Sequence, residues 1–178
     1  DNMGASFSAW KQLFSQCVDT RQDISFNGRK FRIIRQLGEG GYSFVYLVRE
    51  VGGKKGEYAL KKILCQSPEQ LQAAQKELNA NKTLLHQNIL PLLDSAIINN
   101  PSSPSAAPSQ SVCMLFPPYL EGTLHEALYN CPPSQRCFTP REVLSIFDQV
   151  CAALSVLHDQ SPSLAHWDIK PLNVLLSR

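Results

Sequence analysis

No apolar run in this sequence approaches the roughly 18 residues that cross a bilayer as a helix, and no secretory signal opens the chain as written. A dominant charge is also missing. The 17 Lys and Arg stand against 15 Asp and Glu, a net of +2, which gives no reason to invoke nucleic acid as a partner. Zinc-knuckle spacing is absent among the six cysteines (Cys17, Cys65, Cys113, Cys131, Cys137, Cys151), and the closest pair, Cys131 and Cys137, has no histidine nearby. The expectation for these cysteines is buried, reduced thiols in a cytosolic protein. What remains is a chain of 178 residues, 43% hydrophobic and 18% charged. That balance suits a globular protein of one ordinary domain, or one complete lobe plus part of a second.

Residues 1–28 read as an N-terminal tail of mixed character, with a short helix from Phe7 to Val18. Within it, Met3-Gly4-Ala5-Ser6-Phe7-Ser8 matches the myristoylation pattern if Met3 is the initiator. As written, Asp1 and Asn2 precede it, and an internal glycine has no free amine to acylate. Strand patterns occupy 29–116. Phe31 to Leu37 leads through Gly38-Glu39-Gly40-Gly41 into Phe44 to Val48, a strand–turn–strand hairpin. A second turn at 52–56 is followed by Tyr58 to Leu64, with Ala59, Lys61 and Ile63 on one face. A helix starts at Ser67-Pro68-Glu69-Gln70, with Ser67 as cap and Gln70 completing a capping box. Its apolar stripe is Leu71, Ala74, Leu78 and Leu85. Strands near Ile89–Ile98 and Val112–Phe116 flank a Ser/Pro/Asn-rich loop at 99–111, too polar to order itself. A proline-containing hinge at 117–122 precedes a helical segment, 123–178. It holds a short helix from Thr123 to Tyr129 and a long one from Pro140 to His158, striped by Val143, Phe147, Val150, Leu154 and Leu157. Strands first and helices after indicate an α+β protein of two lobes.

Three constellations carry chemistry. The glycine turn, Gly38-x-Gly40-x-x-Ser43, lacks a third glycine and opens a strand rather than a helix, which excludes a dinucleotide fold. No Gly-Lys-Ser/Thr follows, which excludes a Walker loop. Lys61 lies on an apolar strand face. Either it snorkels to solvent beside Lys62, or it is paired, with Glu77 on the helix as the available carboxylate. The most demanding stretch is His166-Trp167-Asp168-Ile169-Lys170-Pro171-Leu172-Asn173, running into the apolar strand Val174-Leu175-Leu176. A carboxylate, a cation and an amide at offsets of two and five suit phosphoryl transfer. That reaction needs a group for the acceptor hydroxyl, one for the moving phosphoryl, and an oxygen ligand for a metal.

Taken together these segments resemble the first part of a eukaryotic serine/threonine protein kinase. Gly38 to Val45 is similar to its glycine-rich loop, Tyr58-Ala59-Leu60-Lys61 to its lysine strand, Glu77 to its helix C glutamate and His166 to Asn173 to its catalytic loop. The Gly-Glu-Gly-Gly-aromatic-Ser form and the hinge prolines resemble the Numb-associated kinase family. The resemblance implies an antiparallel β-sheet N-lobe with helix C (29–116), a hinge (117–122) and the start of a mainly helical C-lobe (123–178). It implies transfer of the ATP γ-phosphate to Ser/Thr hydroxyls of protein substrates, with ATP and Mg2+ as cofactors. ATP would meet Leu37, Gly38, Glu39, Gly40, Gly41, Tyr42, Ser43, Val45, Ala59, Lys61, Phe116, Pro117, Tyr119 and Leu175. Lys61, held by Glu77, would contact the α- and β-phosphates, and Leu37, Val45, Ala59 and Leu175 would sandwich the adenine. Phe116 would be the gatekeeper. Pro117 would offer a carbonyl and Tyr119 an N–H, so two hinge prolines are tolerable. Asp168 would take or orient the hydroxyl proton, Lys170 would stabilise γ-phosphate charge, and Asn173 would bind the metal. The implied place is cytoplasmic, peripheral on secretory-pathway membranes if Gly4 is acylated.

Trp167 departs from the family, which usually has an arginine there to pair with a phosphorylated activation loop. An indole has one N–H and no charge. The hypothesis is that the intact enzyme is not switched on by activation-loop phosphorylation, and loss of activity on replacing the loop phosphosite by alanine would refute it. The sequence also ends at Arg178, before any Asp-Phe-Gly. The expectation for these 178 residues alone is an inactive or poorly soluble fragment, and the alternative function is a pseudokinase-like module that binds nucleotide or a partner without catalysis.

Overall fold

The computed structural model describes residues 23–53, 56–100, 109–119, 121–132 and 134–177. The helix expected at Phe7–Val18, Gly4, Cys17 and most of the Ser/Pro-rich loop lie outside them. The chain divides into two compact units, 1–79 with 92–118, and 80–91 with 119–178.

Among the described residues the first unit is built on six strands: β1 (Asp23–Phe26), β2 (Arg29–Gly40), β3 (Ser43–Glu50), β4 (Glu57–Cys65), β5 (Asp94–Asn99) and β6 (Gln110–Phe116). They form one antiparallel sheet in the order β1-β2-β3-β4-β6-β5. Strand β1 falls in the segment read from sequence as tail. Its signal was Asn27-Gly28, which turns with φ of 49° and 73°, the left-handed pair that a tight hairpin requires. The strands β5 and β6 also reach into 99–111, so less of that stretch is loop than its composition suggests.

Alternation along the strands builds the core. Ile24, Phe26, Phe31, Ile33, Val48, Leu60, Cys113 and Leu115 form one buried cluster, and Phe31 stacks on Phe26 with ring centroids 5.0 Å apart. The two outermost strands of the sheet contribute to the same cluster, β1 through Ile24 and Phe26, and β5 through Ala96 and Ile98 packed against it. A polar clasp joins them. Asn27 Nδ2 donates to Asp94 Oδ1 (2.8 Å) and to the Ser95 carbonyl (3.1 Å). Arg29 donates twice to Glu50, both at 2.9 Å, and once to Asp94 at 3.2 Å, with its guanidinium over the rings of Phe31 and Tyr58. These bonds tie the β1–β2 turn and the start of β2 to the start of β5.

Helix α1 (Pro68–Thr83) starts where expected. The Ser67 hydroxyl accepts the Gln70 N–H at 3.3 Å, but the Gln70 side chain reaches past Ser67 and accepts from the Gln66 N–H at 2.7 Å. Ala74 and Leu78 are buried. Leu85 is not part of the stripe: the helix ends at Thr83, Leu85 is exposed, and Leu84 is buried instead.

The second unit contains α2 (Leu124–Tyr129), α3 (Pro140–His158) and a 3-10 turn, Pro171–Asn173. Both helices open on a complete capping box, Thr123 with Glu126 and Thr139 with Glu142, and Pro140 sits in the first turn of α3. Leu157 is buried, while Val143 and Phe147 from the same stripe are exposed. The segment 84–91 is tied to α3 by Asn88 Nδ2 donating to Gln149 Oε1 at 2.9 Å. No strand forms at Val174–Leu176. Its pairing is a single bridge, Leu175 with Thr123.

The cysteine expectation needs correction. Cys65 and Cys113 are buried thiols, and burial pushes Cys113 up to about 11. Cys151 is exposed, and Cys131 forms a disulfide with Cys137. The α2–α3 connection folds back through a Gln135 N–H to Pro132 carbonyl bond of 2.9 Å, and the two Cα atoms lie 5.5 Å apart, inside the range a disulfide spans.

Candidate functional site

The sheet register of the first unit gathers most of the candidate nucleotide residues. Gly38 faces Val45, Val45 faces Lys61, and Lys61 faces Met114. Directly opposed residues share a sheet face, so Gly38, Val45 and Lys61 form one row. The neighbouring row on that face holds Leu47, Ala59 and Phe116. A register shift between Gln36 and Gly38 leaves Leu37 without a partner of its own beside Val45. Such a bulge bends a strand and re-aims its side chains, and nothing in the hydrophobic pattern announced it.

The backbone of this hairpin does not require its glycines. Gly38, Gly40 and Gly41 are not in the left-handed region. A Cβ on Gly38 or Gly41 would meet nothing within 4 Å, and one on Gly40 would meet only the Ser43 hydroxyl at 3.1 Å. The space beside this backbone is open, as a cradle for phosphate oxygens needs. Tyr42 at the tip is exposed, and its carbonyl accepts the Leu64 N–H at 2.8 Å. Glu39 accepts from Gln36 Nε2 at 3.0 Å, and so turns to its own strand.

Of the two readings of Lys61, the paired one holds. Lys61 Nζ lies 2.6 Å from Glu77 Oε1, joining β4 to α1. Phe116 is buried at the end of β6, and Pro117 follows it. Tyr119 opens the longer of the second unit's two segments.

In the second unit the loop 166–173 brings its polar groups together. Lys170 Nζ is 2.8 Å from Asp168 Oδ1, and Asn173 Nδ2 donates to Asp168 Oδ2 at 2.9 Å and to the Asp168 carbonyl at 2.8 Å. Hydrogen bonding from Lys170, then from Asn173, holds the Asp168 carboxyl below its ordinary 3.8. With its amide N–H donors spent on Asp168, Asn173 keeps its amide oxygen for a hard cation. Among the described residues no group of three or more His, Cys, Asp or Glu is arranged to hold a metal. Trp167 adopts a left-handed φ of 61° and is exposed, a conformation that disfavours large side chains. Leu175 sits in the bridge to Thr123.

Sequence reading missed Gly122, Thr123 and Glu126, which hold that bridge. The capping-box spacing, Thr123-x-x-Glu126, was the available signal.

Comparison with known proteins identifies the family. Residues 31–178 match the protein kinase domain family. A probable serine/threonine-protein kinase of Dictyostelium discoideum is 38% identical over 168 residues, covering 91% of this chain and 44% of that protein. Serine/threonine-protein kinase 16 of Rattus norvegicus is 30% identical over 161 residues, covering 90% of this chain and 50% of its own length. The chain thus spans half or less of these relatives. With a lysine–carboxylate pair under an open glycine hairpin, and an Asp-Lys-Asn cluster in the matching loop, the chain belongs to the protein kinase domain family.

Proposed function

We propose that the protein is a serine/threonine protein kinase using ATP and magnesium, and that its finer relationship is to the Numb-associated kinases. The observation that carries the proposal is the Lys61–Glu77 pair at 2.6 Å, in register with Gly38 and Val45. Glu77 fixes the ammonium where it can meet the α- and β-phosphates, while backbone N–H groups of residues 38–43 face the phosphate oxygens. Leu37, Val45 and Ala59 of the first unit offer apolar surface to the adenine, and in the second unit Leu175 is proposed for the same role. Pro117 and Tyr119 provide a carbonyl and an N–H. Bound ATP with magnesium supplies the phosphoryl group and neutralises part of its charge. Asp168 orients the Ser/Thr hydroxyl, Lys170 stands ready for charge on the transferred group, and Asn173 offers the metal its amide oxygen. In this reading α1 is helix C, and α2 and α3 begin the C-lobe.

The subfamily rests on the Gly-Glu-Gly-Gly-Tyr-Ser turn and on Pro117-Pro118. Acylation at Gly4, with peripheral membrane attachment, is proposed only for a form that starts at Met3. Mass spectrometry finding an unmodified Gly4 in that form removes it.

The test is phosphate transfer from ATP to a serine-containing protein by the full-length protein. Lys61→Ala should lower kcat/KM by roughly 100-fold or more, the scale set by losing one electrostatic contact to the transition state. If it binds and turns over ATP like its parent, the reading is wrong.

A further inference from the structure

We infer that Gly122, Thr123 and Glu126 are positioning residues for nucleotide binding, acting on Leu175 and, through it, on the segment that follows Asn173. The inference rests on the kinase reading above, and it adds residues that reading does not use.

The Leu124 N–H donates to the Val174 carbonyl at 2.8 Å, and the Leu176 N–H donates to the Gly122 carbonyl at 3.1 Å. These two bonds bracket the Thr123–Leu175 bridge. The pair is of the non-hydrogen-bonded antiparallel kind, in which opposed side chains approach most closely. Leu175 is thus held by backbone on both sides, two residues beyond the amide offered to the metal.

The other half of the bridge is fixed by its own side chains. Gly122 has φ +93°, and a Cβ there would lie 2.7 Å from Glu126 Oε2. Only glycine turns its carbonyl toward Leu176 without strain. Glu126 Oε2 accepts from the Thr123 N–H at 2.8 Å and from the Thr123 hydroxyl at 3.2 Å, and the hydroxyl accepts the Glu126 N–H at 3.1 Å. Thr123 is therefore locked at the point where it meets Leu175.

A capping box ordinarily does no more than start a helix, and α3 provides the control within the same molecule. Thr139 and Glu142 repeat the arrangement, with the Thr139 N–H 2.7 Å from Glu142 Oε2. Among the described residues, that second box makes no hydrogen bond to 166–176. Capping alone predicts the same unchanged KM for ATP in both glutamate variants, and positioning predicts a raised KM for one.

The experiment compares Glu126→Ala, Glu126→Gln and Glu142→Ala in the full-length protein, with Gly122→Ala as an independent disturbance of the same bridge. Amide hydrogen exchange is read at Leu124 and Leu176, and KM for ATP and kcat are read separately. Glu126→Ala and Gly122→Ala should speed exchange at both amides by about tenfold or more. They should raise KM for ATP severalfold and leave kcat the less affected. Glu126→Gln, which keeps an acceptor for the box, should restore both readouts, and Glu142→Ala should leave both at the parent value. Equal behaviour of Glu126→Ala and Glu142→Ala overturns the inference, as does faster exchange with an unchanged KM. A parent protein that fails to bind ATP overturns the kinase reading instead, while equal exchange in the two alanine variants would still overturn the positioning role.

Discussion

Replacing Gly38 or Gly41 by alanine separates two reasons for having glycine in the hairpin. If the glycines served the chain itself, a methyl group should destabilise it. The structure argues otherwise, because neither residue has a positive φ and a Cβ at either place meets nothing within 4 Å. Alanine at a compatible site stabilises by about 0.4–1 kcal/mol, chiefly by restricting the unfolded chain. In a protein of this size that is a rise of roughly 1–4 °C in the melting midpoint. Nucleotide binding should move the opposite way. Gly38 shares its row with Val45 and Lys61, so a methyl there projects onto the face that carries the lysine and holds phosphate oxygens off the backbone. Losing one hydrogen bond to a charged group costs about 1.5–3 kcal/mol, or roughly 10- to 150-fold in affinity. Thermal denaturation and ATP titration of the full-length protein read the two effects independently. A midpoint that falls by several degrees refutes the argument from open space. A raised midpoint with unchanged affinity reduces the motif to a plain hairpin.

Other expectations follow from single features. Phe31→Ala empties a fully buried position against Phe26 and Tyr58 and should cost about 3–5 kcal/mol in urea unfolding; a loss under 1 kcal/mol would show that the cluster repacks. Carboxyl-detected NMR should place the Asp168 midpoint below 3.8, with a rise in Lys170→Ala, since Lys170 is the main cause of the depression. A midpoint in the parent above the ordinary value contradicts the described loop. Asp23 is held below its ordinary pKa by Lys30 and Arg32, and Glu50 by Arg29. Groups depressed in this way stabilise the fold fully above the unfolded pKa near 4 and lose that contribution as pH falls through the lower folded value. Acid unfolding should therefore set in below about pH 4, and Arg29→Ala should blunt its steepness; an unaltered pH dependence of stability in Arg29→Ala would contradict the clasp.

Much of this arrangement was legible in the residues. The hairpin around Gly38–Gly41, the lysine strand and helix α3 follow from period and capping, because each is a local decision of the chain. The Lys61–Glu77 pair was left open in the residue pattern, since a strand and a helix sixteen residues apart meet only through the fold. The bulge at Leu37 was not legible, because it depends on how β2 meets β3 and not on the order of apolar residues. Leu85 was misread since its spacing fits a helix that the chain leaves at Thr83. Strand β1 was overlooked although Asn27-Gly28 marked its turn. The disulfide is a matter of how α2 and α3 are joined, and cysteine spacing alone does not fix that.

The clasp from Asn27 and Arg29 to Asp94 and Ser95 bears on where the folded body begins. Family similarity starts at Phe31, yet Ile24 and Phe26 lie in the same apolar cluster as Phe31, and Asn27 helps fasten the far margin of the sheet. A protein trimmed to the family match would forfeit that seam, bare the aromatic ring it shelters, and offer β2 as an open border for strands of other molecules. The folded sheet accordingly begins no later than Asp23.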